Sequence, residues 1–324
     1  MSFRDDAVPP LLDSGHLALS DGASLYWETS GRADGVPVLW LHGGPGSGLR
    51  GERYRRKFDA DRNLIIGVDQ RGCGRSVPLV TDELSSLAGN TTERLIADLE
   101  ELRAFLGLER WIITGGSWGS TLALAYAAEH PERVIGVVVG AVTTTSRDEV
   151  DWITEGVGRI FPEAWASFEA ASGRREGERV VEAYARRLAD PADAADRGRA
   201  AADWDAWEST HVSLDPAWTP GPMHHDPVER AVFSTLVTHY WANDGFLSGD
   251  RAILARTDRL ADVPVVLIHG RRDVSGPAVT PWRLHQRLPR SELHVVENEG
   301  HGGPGQTELI REAVAGLTAT TAGT

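Results

Sequence analysis

A serine held between glycines where a strand turns into a helix is a poised nucleophile. The chain has such a serine in Gly115-Gly116-Ser117-Trp118-Gly119. The apolar run Trp111-Ile112-Ile113 comes before it and a helical stretch from Thr121 to Glu129 comes after it. G-x-S-x-G occurs by chance in glycine-rich loops, and the strand before and helix after are what give it meaning. Acyl transfer by a serine needs a base and an acid that orients the base. On a strand–helix scaffold these come after later strands, in the chain order Ser, Asp, His. Asp273 comes after the apolar run at 263–270 (VPVVLIHG), and His301 after the run at 293–296 (LHVV). His301 is expected to take the proton from Ser117 and return it to the leaving group. Asp273 is expected to fix the tautomer of His301 and stabilise the imidazolium.

The developing oxyanion needs backbone donors. The N–H of Trp118 is one. Gly43 and Gly44, in the loop His42-Gly43-Gly44-Pro45-Gly46-Ser47-Gly48, are the candidates for the other. Glycines let a peptide N–H turn inward, and one such donor is worth about 3 kcal/mol of barrier. The loop lacks both the G-K-[ST] ending of a P-loop and G-x-G-x-x-G spacing, so phosphate cradling is not expected. Other titratable residues read as structural. His269 and His294 lie inside strand-like runs and are expected to be packed or hydrogen-bonded. His224-His225 has no third ligand in view and is expected to be exposed, so no metal is expected. Asp258 and Asp262 precede the strand at 263–270 instead of following it. Asp69 ends an early strand and is expected to bond to the Arg71-Gly72 turn.

These residues require a scaffold that alternates strands and helices. Residues 15–28 alternate polar and apolar around Asp21-Gly22, which predicts a β-hairpin. The runs at 36–42, 63–69, 111–116 and 134–142 are continuously apolar, as strands buried on both faces are. A helix capped by Asn90 or Thr91 carries Leu95, Leu99, Leu102 and Leu106. Such alternation predicts a parallel α/β sheet. The rhythm stops between about 145 and 257, where the segment is charged, Ala-rich and helically spaced at 180–188 and 231–241, and resumes at 263. The expected organisation is a core at 1–144, a helical cap at 145–257, the remainder of the core at 258–317 and a flexible tail at 318–324.

Composition narrows the function. With 33 Lys plus Arg against 47 Asp plus Glu, the formal charge is −14, the opposite of a nucleic-acid footprint. One cysteine, Cys73, forms no internal disulfide. The longest apolar run, 134–142, is far short of the ~20 residues of a membrane span. The acidic start Met1-Ser2-Phe3-Arg4-Asp5-Asp6 is unlike a signal peptide, so a cytoplasmic location is expected, as a monomer or small homo-oligomer. Of the 11 tryptophans, Trp152, Trp165, Trp204, Trp207, Trp218 and Trp241 fall in the expected cap, which concentrates aromatic surface around the substrate chamber.

Taken together, these residues resemble the α/β-hydrolase superfamily and, within it, the proline iminopeptidases. The matching strings are His42-Gly43-Gly44-Pro45-Gly46, Asp69-Gln70-Arg71-Gly72-Cys73-Gly74-Arg75-Ser76, and Gly115-Gly116-Ser117-Trp118-Gly119-Ser120-Thr121-Leu122-Ala123-Leu124. His269-Gly270-Arg271 with Asp273, and Gly300-His301, complete the set, and the resemblance runs from about 14 to 317. It implies a cofactor-free, metal-free serine exopeptidase that releases an N-terminal proline, with a cap enclosing the pocket. Trp204-Asp205-Ala206-Trp207-Glu208 resembles the cap's W-x-x-W-E segment, which makes Glu208 the candidate binder of the free amine. An ammonium entering a closed pocket needs a carboxylate, or its desolvation goes uncompensated. Gly46, Val142, Trp152, Ile153 and Tyr240 are the further substrate-binding candidates.

Three positions depart from the family pattern. Val237 stands where a second amine-binding glutamate would be, and Val142 and Ile153 stand where aromatic pocket residues would be. The proline pocket is therefore expected to be remodelled and more aliphatic. The partner is a small peptide or small molecule with a free amine. The alternatives are an esterase, amidase or thioesterase without amine selection, or a non-catalytic binding module. Cys73, in a loop near the oxyanion region, is expected to make the protein sensitive to bulky thiol reagents while Cys73→Ser retains activity.

Overall fold

The computed structural model describes residues 8–214, 219, 221 and 223–322. Trp218 and the first seven residues, which include the acidic start, lie outside the described residues. The strands are β1 (Leu11–Ala18), β2 (Ser24–Gly31), β3 (Val36–Leu41), β4 (Asn63–Val68), β5 (Trp111–Ser117), β6 (Val134–Val142), β7 (Val265–Gly270) and β8 (Ser291–Val296). The helices are α1 (Thr92–Phe105), α2 (Trp118–Glu129), α3 (Arg147–Thr154), α4 (Pro162–Ser172), α5 (Val180–Leu188), α6 (Ala194–His211), α7 (Pro227–Ala242), α8 (Val279–His285) and α9 (Pro304–Ala322). The strands form one sheet in the order β1-β2-β4-β3-β5-β6-β7-β8. The β1–β2 and β2–β4 pairs are antiparallel, and every pair from β4 through β8 is parallel.

The continuous apolar runs are explained by what covers the sheet. Leu39, Ile113, Val139 and Leu267 point to one face, where they join Leu95, Leu99, Leu122 and Tyr126 of α1 and α2. Their neighbours Val38, Ile112, Val138, Val266 and Ile268 point to the other face, against Ile310 and Val314 of α9. Both sets must be apolar because both faces are covered. The Thr91 hydroxyl caps α1 by accepting from the Arg94 N–H at 3.2 Å.

Among the described residues the helices α3 to α7 lie between β6 and β7, and they share a separate apolar cluster. At its centre the Phe168 ring meets Tyr184 at 4.7 Å, Trp207 at 5.0 Å and Trp204 at 5.6 Å. The tryptophans also tie chain segments together through their indole N–H groups. Trp165 donates to the Thr154 carbonyl at 2.9 Å and Trp207 donates to the Ile153 carbonyl at 3.1 Å. Trp152 donates across to the Val274 carbonyl, after β7, at 2.8 Å.

The expected flexible tail needs correction. α9 continues through Thr321 to Ala322, and Thr318 is buried. Its hydroxyl accepts from the Asn63 amide at 2.9 Å and donates to the Val314 carbonyl at 2.8 Å. A tertiary contact thus overrides a low-propensity threonine sequence.

Candidate active site

Ser117 ends β5 and immediately precedes α2, with φ 56° and ψ −127°. This is a costly conformation for a residue with a side chain, and the surroundings must hold it in place. The flanking glycines make that possible. A methyl group on Gly115 would run into the Gly119 backbone, and one on Gly119 into the Leu41 carbonyl. The Ser120 hydroxyl donates to the Ser117 carbonyl at 2.6 Å and accepts from the Thr143 N–H at 2.9 Å, tying the turn to the end of β6. Trp118 is the first residue of α2, so its N–H has no partner within the helix and the helix dipole favours negative charge there.

Asp273 and His301 come from the loops after β7 and β8. His301 Nδ1 lies 2.8 Å from Asp273 Oδ2, and Asp273 Oδ1 accepts from the Gly276 N–H at 3.0 Å. Burial opposes ionisation of Asp273, but the His301 charge and hydrogen bond hold its pKa below the usual value. Burial likewise works against a charged His301, yet Asp273, with a further contribution from Glu208, holds that pKa above its usual value. The His301 loop is itself braced. Glu299 accepts the Gly305 and Gln306 N–H groups at 2.6 and 2.9 Å, and the Gln306 amide donates to the Gly300 carbonyl at 3.0 Å. Ser117 and His301 line one cavity together with Gly44, Trp118, Ala141, Thr143, Ile153 and Trp241.

The loop after β3 packs directly on the nucleophile. A methyl group on Gly43 would lie 3.2 Å from the Gly116 carbonyl and 3.4 Å from Ser117 Cβ, and Gly44 has φ 111°. Gln70 joins this loop to the elbow. Its amide donates to the His42 carbonyl at 2.9 Å and accepts from the Trp118 indole at 2.9 Å. The Gln70 backbone N–H donates to His42 Nε2 at 3.0 Å. Gln70, His42 and Ser120 do not stand out as site residues in the sequence. The specific string around Gln70 is the available signal. Asp69 is buried and accepts from the Leu49 N–H at 2.6 Å and from the Arg75 side chain at 2.8 Å. It braces the glycine loop in addition to the Arg75 turn, which differs from the expected bond to Arg71-Gly72.

Glu208 lies on α6 and is 8% exposed. Its Oε1 has no hydrogen-bond partner among the described residues. Burial pushes its pKa up to about 7, against the lowering effect of the His301 charge and the Trp204 indole. A carboxylate in this state calls for a cationic partner.

The other pocket candidates divide. Ile153 lines the cavity. Val142 does not. It is fully buried in the core and its N–H donates to His269 Nδ1 at 3.0 Å, while Ala141 and Thr143 on either side line the cavity. Ala141 has φ 44°, so the two-residue alternation of β6 slips at this point. Trp152 is taken up by its bond to Val274. Tyr240 is buried edge-on against Trp118 at 4.7 Å, and its hydroxyl donates to the Asn90 side chain at 2.6 Å. Gly46 meets Leu236 of α7, where a methyl group would approach to 3.1 Å. Val237 is fully buried in the helical cluster.

His269 is a hydrogen-bonded core residue, as its strand position predicted. His294 is not, because β8 is an edge strand and leaves its ring 39% exposed beside Glu292. His224 is buried, not exposed. Its Nδ1 is 2.6 Å from Asp205 Oδ1 and the Arg50 guanidinium faces Nε2. Cys73 is also fully buried and donates to the Gln70 carbonyl at 3.1 Å. Among the described residues no cluster of His, Cys, Asp and Glu is arranged to hold a metal ion, and no helix is long and apolar enough to cross a membrane.

Comparison with known proteins agrees with this arrangement. The family described as alpha/beta hydrolase fold matches residues 36–304. The proline iminopeptidase of Neisseria meningitidis serogroup B is 40% identical over 290 residues, covering 89% of this chain and 90% of that protein. A Streptomyces coelicolor protein named "Probable proline iminopeptidase" is 42% identical over 317 residues, covering 96% of each chain. The solved structure of a Mycobacterium smegmatis proline iminopeptidase covers 96% of each chain with a TM-score of 0.55. At 21% identity it speaks to the fold alone. Near-full-length identity at this level, joined to the sheet order and the serine elbow, places the chain in the proline iminopeptidase family of α/β hydrolases.

Proposed function

We propose that this serine hydrolase is an aminopeptidase that releases an N-terminal proline or another small residue from short peptides, with Ser117, His301 and Asp273 as its triad. Ser117 Oγ attacks the carbonyl of the first residue and His301 takes its proton. The tetrahedral oxyanion is received by the N–H of Trp118 and by an N–H of the Gly43-Gly44 loop. His301 then protonates the leaving amine, and water hydrolyses the acyl-enzyme by the same path. Asp273 keeps the proton of the neutral ring on Nδ1, so that Nε2 is the base. The helices of 145–257 act as the cap, and Ile153 is the pocket candidate that lines the cavity.

Glu208 is the observation that carries the amine part of this reading. It is a buried carboxylate with an oxygen that has no partner among the described residues, and it feels the charge of His301. A free α-ammonium bound there sets the first carbonyl at the serine and excludes substrates with blocked amines. A location in the cytoplasm and a monomeric or small homo-oligomeric state belong to the same reading. An esterase or amidase without amine selection is favoured by one observation, the apolar Val237 in the helical cluster.

A panel of aminoacyl naphthylamides with free and acetylated amines decides between them, with Ser117→Ala as the inactive control. The expected result is turnover of free-amine substrates, proline or small residues first, and at least a hundredfold discrimination against the acetylated forms. Equal turnover of both would overturn the aminopeptidase reading.

A further inference from the structure

A second buried polar atom without a partner lies one helical turn from Glu208. His211 ends α6, is 1% exposed, and its Nε2 has no hydrogen-bond partner among the described residues. The protonation of this ring is set by its other bonds. Ser275 Oγ lies 3.0 Å from the His211 carbonyl and 2.9 Å from His211 Nδ1. A carbonyl only accepts, so the hydroxyl proton goes to it, and the hydroxyl oxygen then accepts from Nδ1–H. Nε2 is left as a bare lone pair. It faces Glu208 Oε2 at 3.9 Å, beyond hydrogen-bond reach. The charge environment agrees, since burial and then the His301 charge push the pKa of His211 down to about 3, against the pull of Asp273.

Two buried acceptors therefore lie side by side, and the Trp204 indole N–H, which bears on Glu208, itself makes no hydrogen bond among the described residues. An uncompensated arrangement of this kind costs stability. A group with several N–H donors and a positive charge would satisfy both. Ser275, the partner of His211, lines the same cavity as Ser117 and His301, so His211 sits one residue back from that cavity, which neither it nor Glu208 lines directly. The Trp207 ring, 5.1 Å from the imidazole, closes another side.

We propose that His211 Nε2 is a second acceptor for the substrate's α-ammonium, so that one N–H goes to Glu208 and another to His211. This deepens the aminopeptidase reading and rests on it. It also gives the site a second ligand for the amine where Val237 offers none. A neutral imidazole adds a hydrogen bond without adding charge, so the pair carries a single negative charge for a single positive one.

The test separates the two ring nitrogens. His211→Asn keeps a donor near the Nδ1 position for Ser275 and removes the Nε2 acceptor. His211→Gln places an amide oxygen near Nε2. Each variant is assayed with alanyl- and prolyl-naphthylamide and with p-nitrophenyl acetate, which has no amine. The expected result for His211→Asn is a ten- to thirtyfold rise in KM for the aminoacyl substrates, with ester turnover within twofold of the parent. His211→Gln is expected to recover KM to within about threefold. An unchanged KM in His211→Asn overturns the assignment. So does equal loss on ester and amine substrates, or a Gln variant as impaired as the Asn variant. Glu208→Gln separates this proposal from the reading beneath it. If that variant still discriminates between free and acetylated amines, amine docking on α6 is wrong altogether. If it loses discrimination while His211→Asn keeps the parental KM, only the role of His211 is wrong.

Discussion

The sheet edge and the helical layer meet at one cavity but are built in opposite ways. At the sheet edge the groups that support the triad are satisfied within the protein. Asp273 is bonded to His301 and to a backbone N–H, Ser120 holds the strained turn, and Gln70 bridges the glycine loop to Trp118. In the helical layer Glu208 Oε1 and His211 Nε2 are buried and have no partner among the described residues. The first region is preorganised for a transition state that forms only transiently, and a site of that kind cannot wait for substrate to order it. The second is incomplete until a cation arrives. Discrimination is strongest where the wrong substrate leaves buried groups unpaired. Chemistry and selection are thus divided between layers, and variants in each layer should fail differently.

The sharpest break in that comparison is expected from Asp273→Asn. The amide leaves the shape intact but no longer favours the His301 tautomer that presents a free Nε2, and it does not stabilise the imidazolium. On the serine-hydrolase precedent kcat should fall by about 10⁴, for ester and aminoacyl substrates alike, with KM little changed. Labelling of Ser117 by a fluorophosphonate should slow in parallel. A loss below tenfold, or one confined to aminoacyl substrates, would move Asp273 out of the chemical layer.

The helical layer should show the reverse, a gain in stability when its orphaned group is removed. The folded-state pKa of Glu208 is raised, from the usual 4.5 to about 7. A group shifted upward contributes stability that is present below its unfolded value and lost as pH rises through its folded value. The penalty for Glu208 therefore develops between pH 4.5 and 7. A shift of this size corresponds to about 3 kcal/mol. Glu208→Gln should then be more stable than the parent at pH 8 by on the order of 4 °C in Tm for a chain of this length. At pH 4.5 the two should melt together. Equal melting at pH 8 would mean that Glu208 is not strained in the free protein, and the contrast between the layers would fail on that side.

The two layers were also unequally legible in the sequence. Parallel strands covered on both faces must be apolar at every position, so β3 to β7 stand out as runs. Asp273 and His301 are then located by their places in the loops just after two such strands. The serine elbow is legible because Gly115 and Gly119 are sterically required. The details that escaped depend on contacts remote in sequence. The burial of His224 rests on Asp205 and Arg50, 19 and 174 residues away. The order of the tail rests on an Asn63–Thr318 bond across 255 residues. Val142 turns into the core while Ala141 and Thr143 line the cavity, because the left-handed Ala141 breaks the alternation of β6 at a residue type that does not signal it. His211 carries no motif at all. Its meaning comes from Ser275 fixing its tautomer.

Cys73 gives the smallest expected effect and sharpens the boundary of the chemical layer. Its position in a loop beside the oxyanion region suggested sensitivity to bulky thiol reagents. The thiol is instead fully buried, donates to the Gln70 carbonyl, and lies 3.6 Å from His42 Nε2. Burial, then the Asp69 charge, push its pKa well above the usual value, so little thiolate exists to react. Cys73→Ser preserves the donor to Gln70 in a smaller side chain. It should retain activity within about threefold on both substrate classes, since a surviving hydrogen bond and a modest loss of packing are small terms. Maleimide should label the native protein slowly and the urea-unfolded protein at once, with inactivation tracking the slow phase, because modification then requires the loop carrying Gln70 to open. Rapid labelling of the native protein would place the thiol at the surface. Complete loss of activity in Cys73→Ser would make it part of the machinery that holds the oxyanion loop, instead of a packed neighbour of Gln70 and His42.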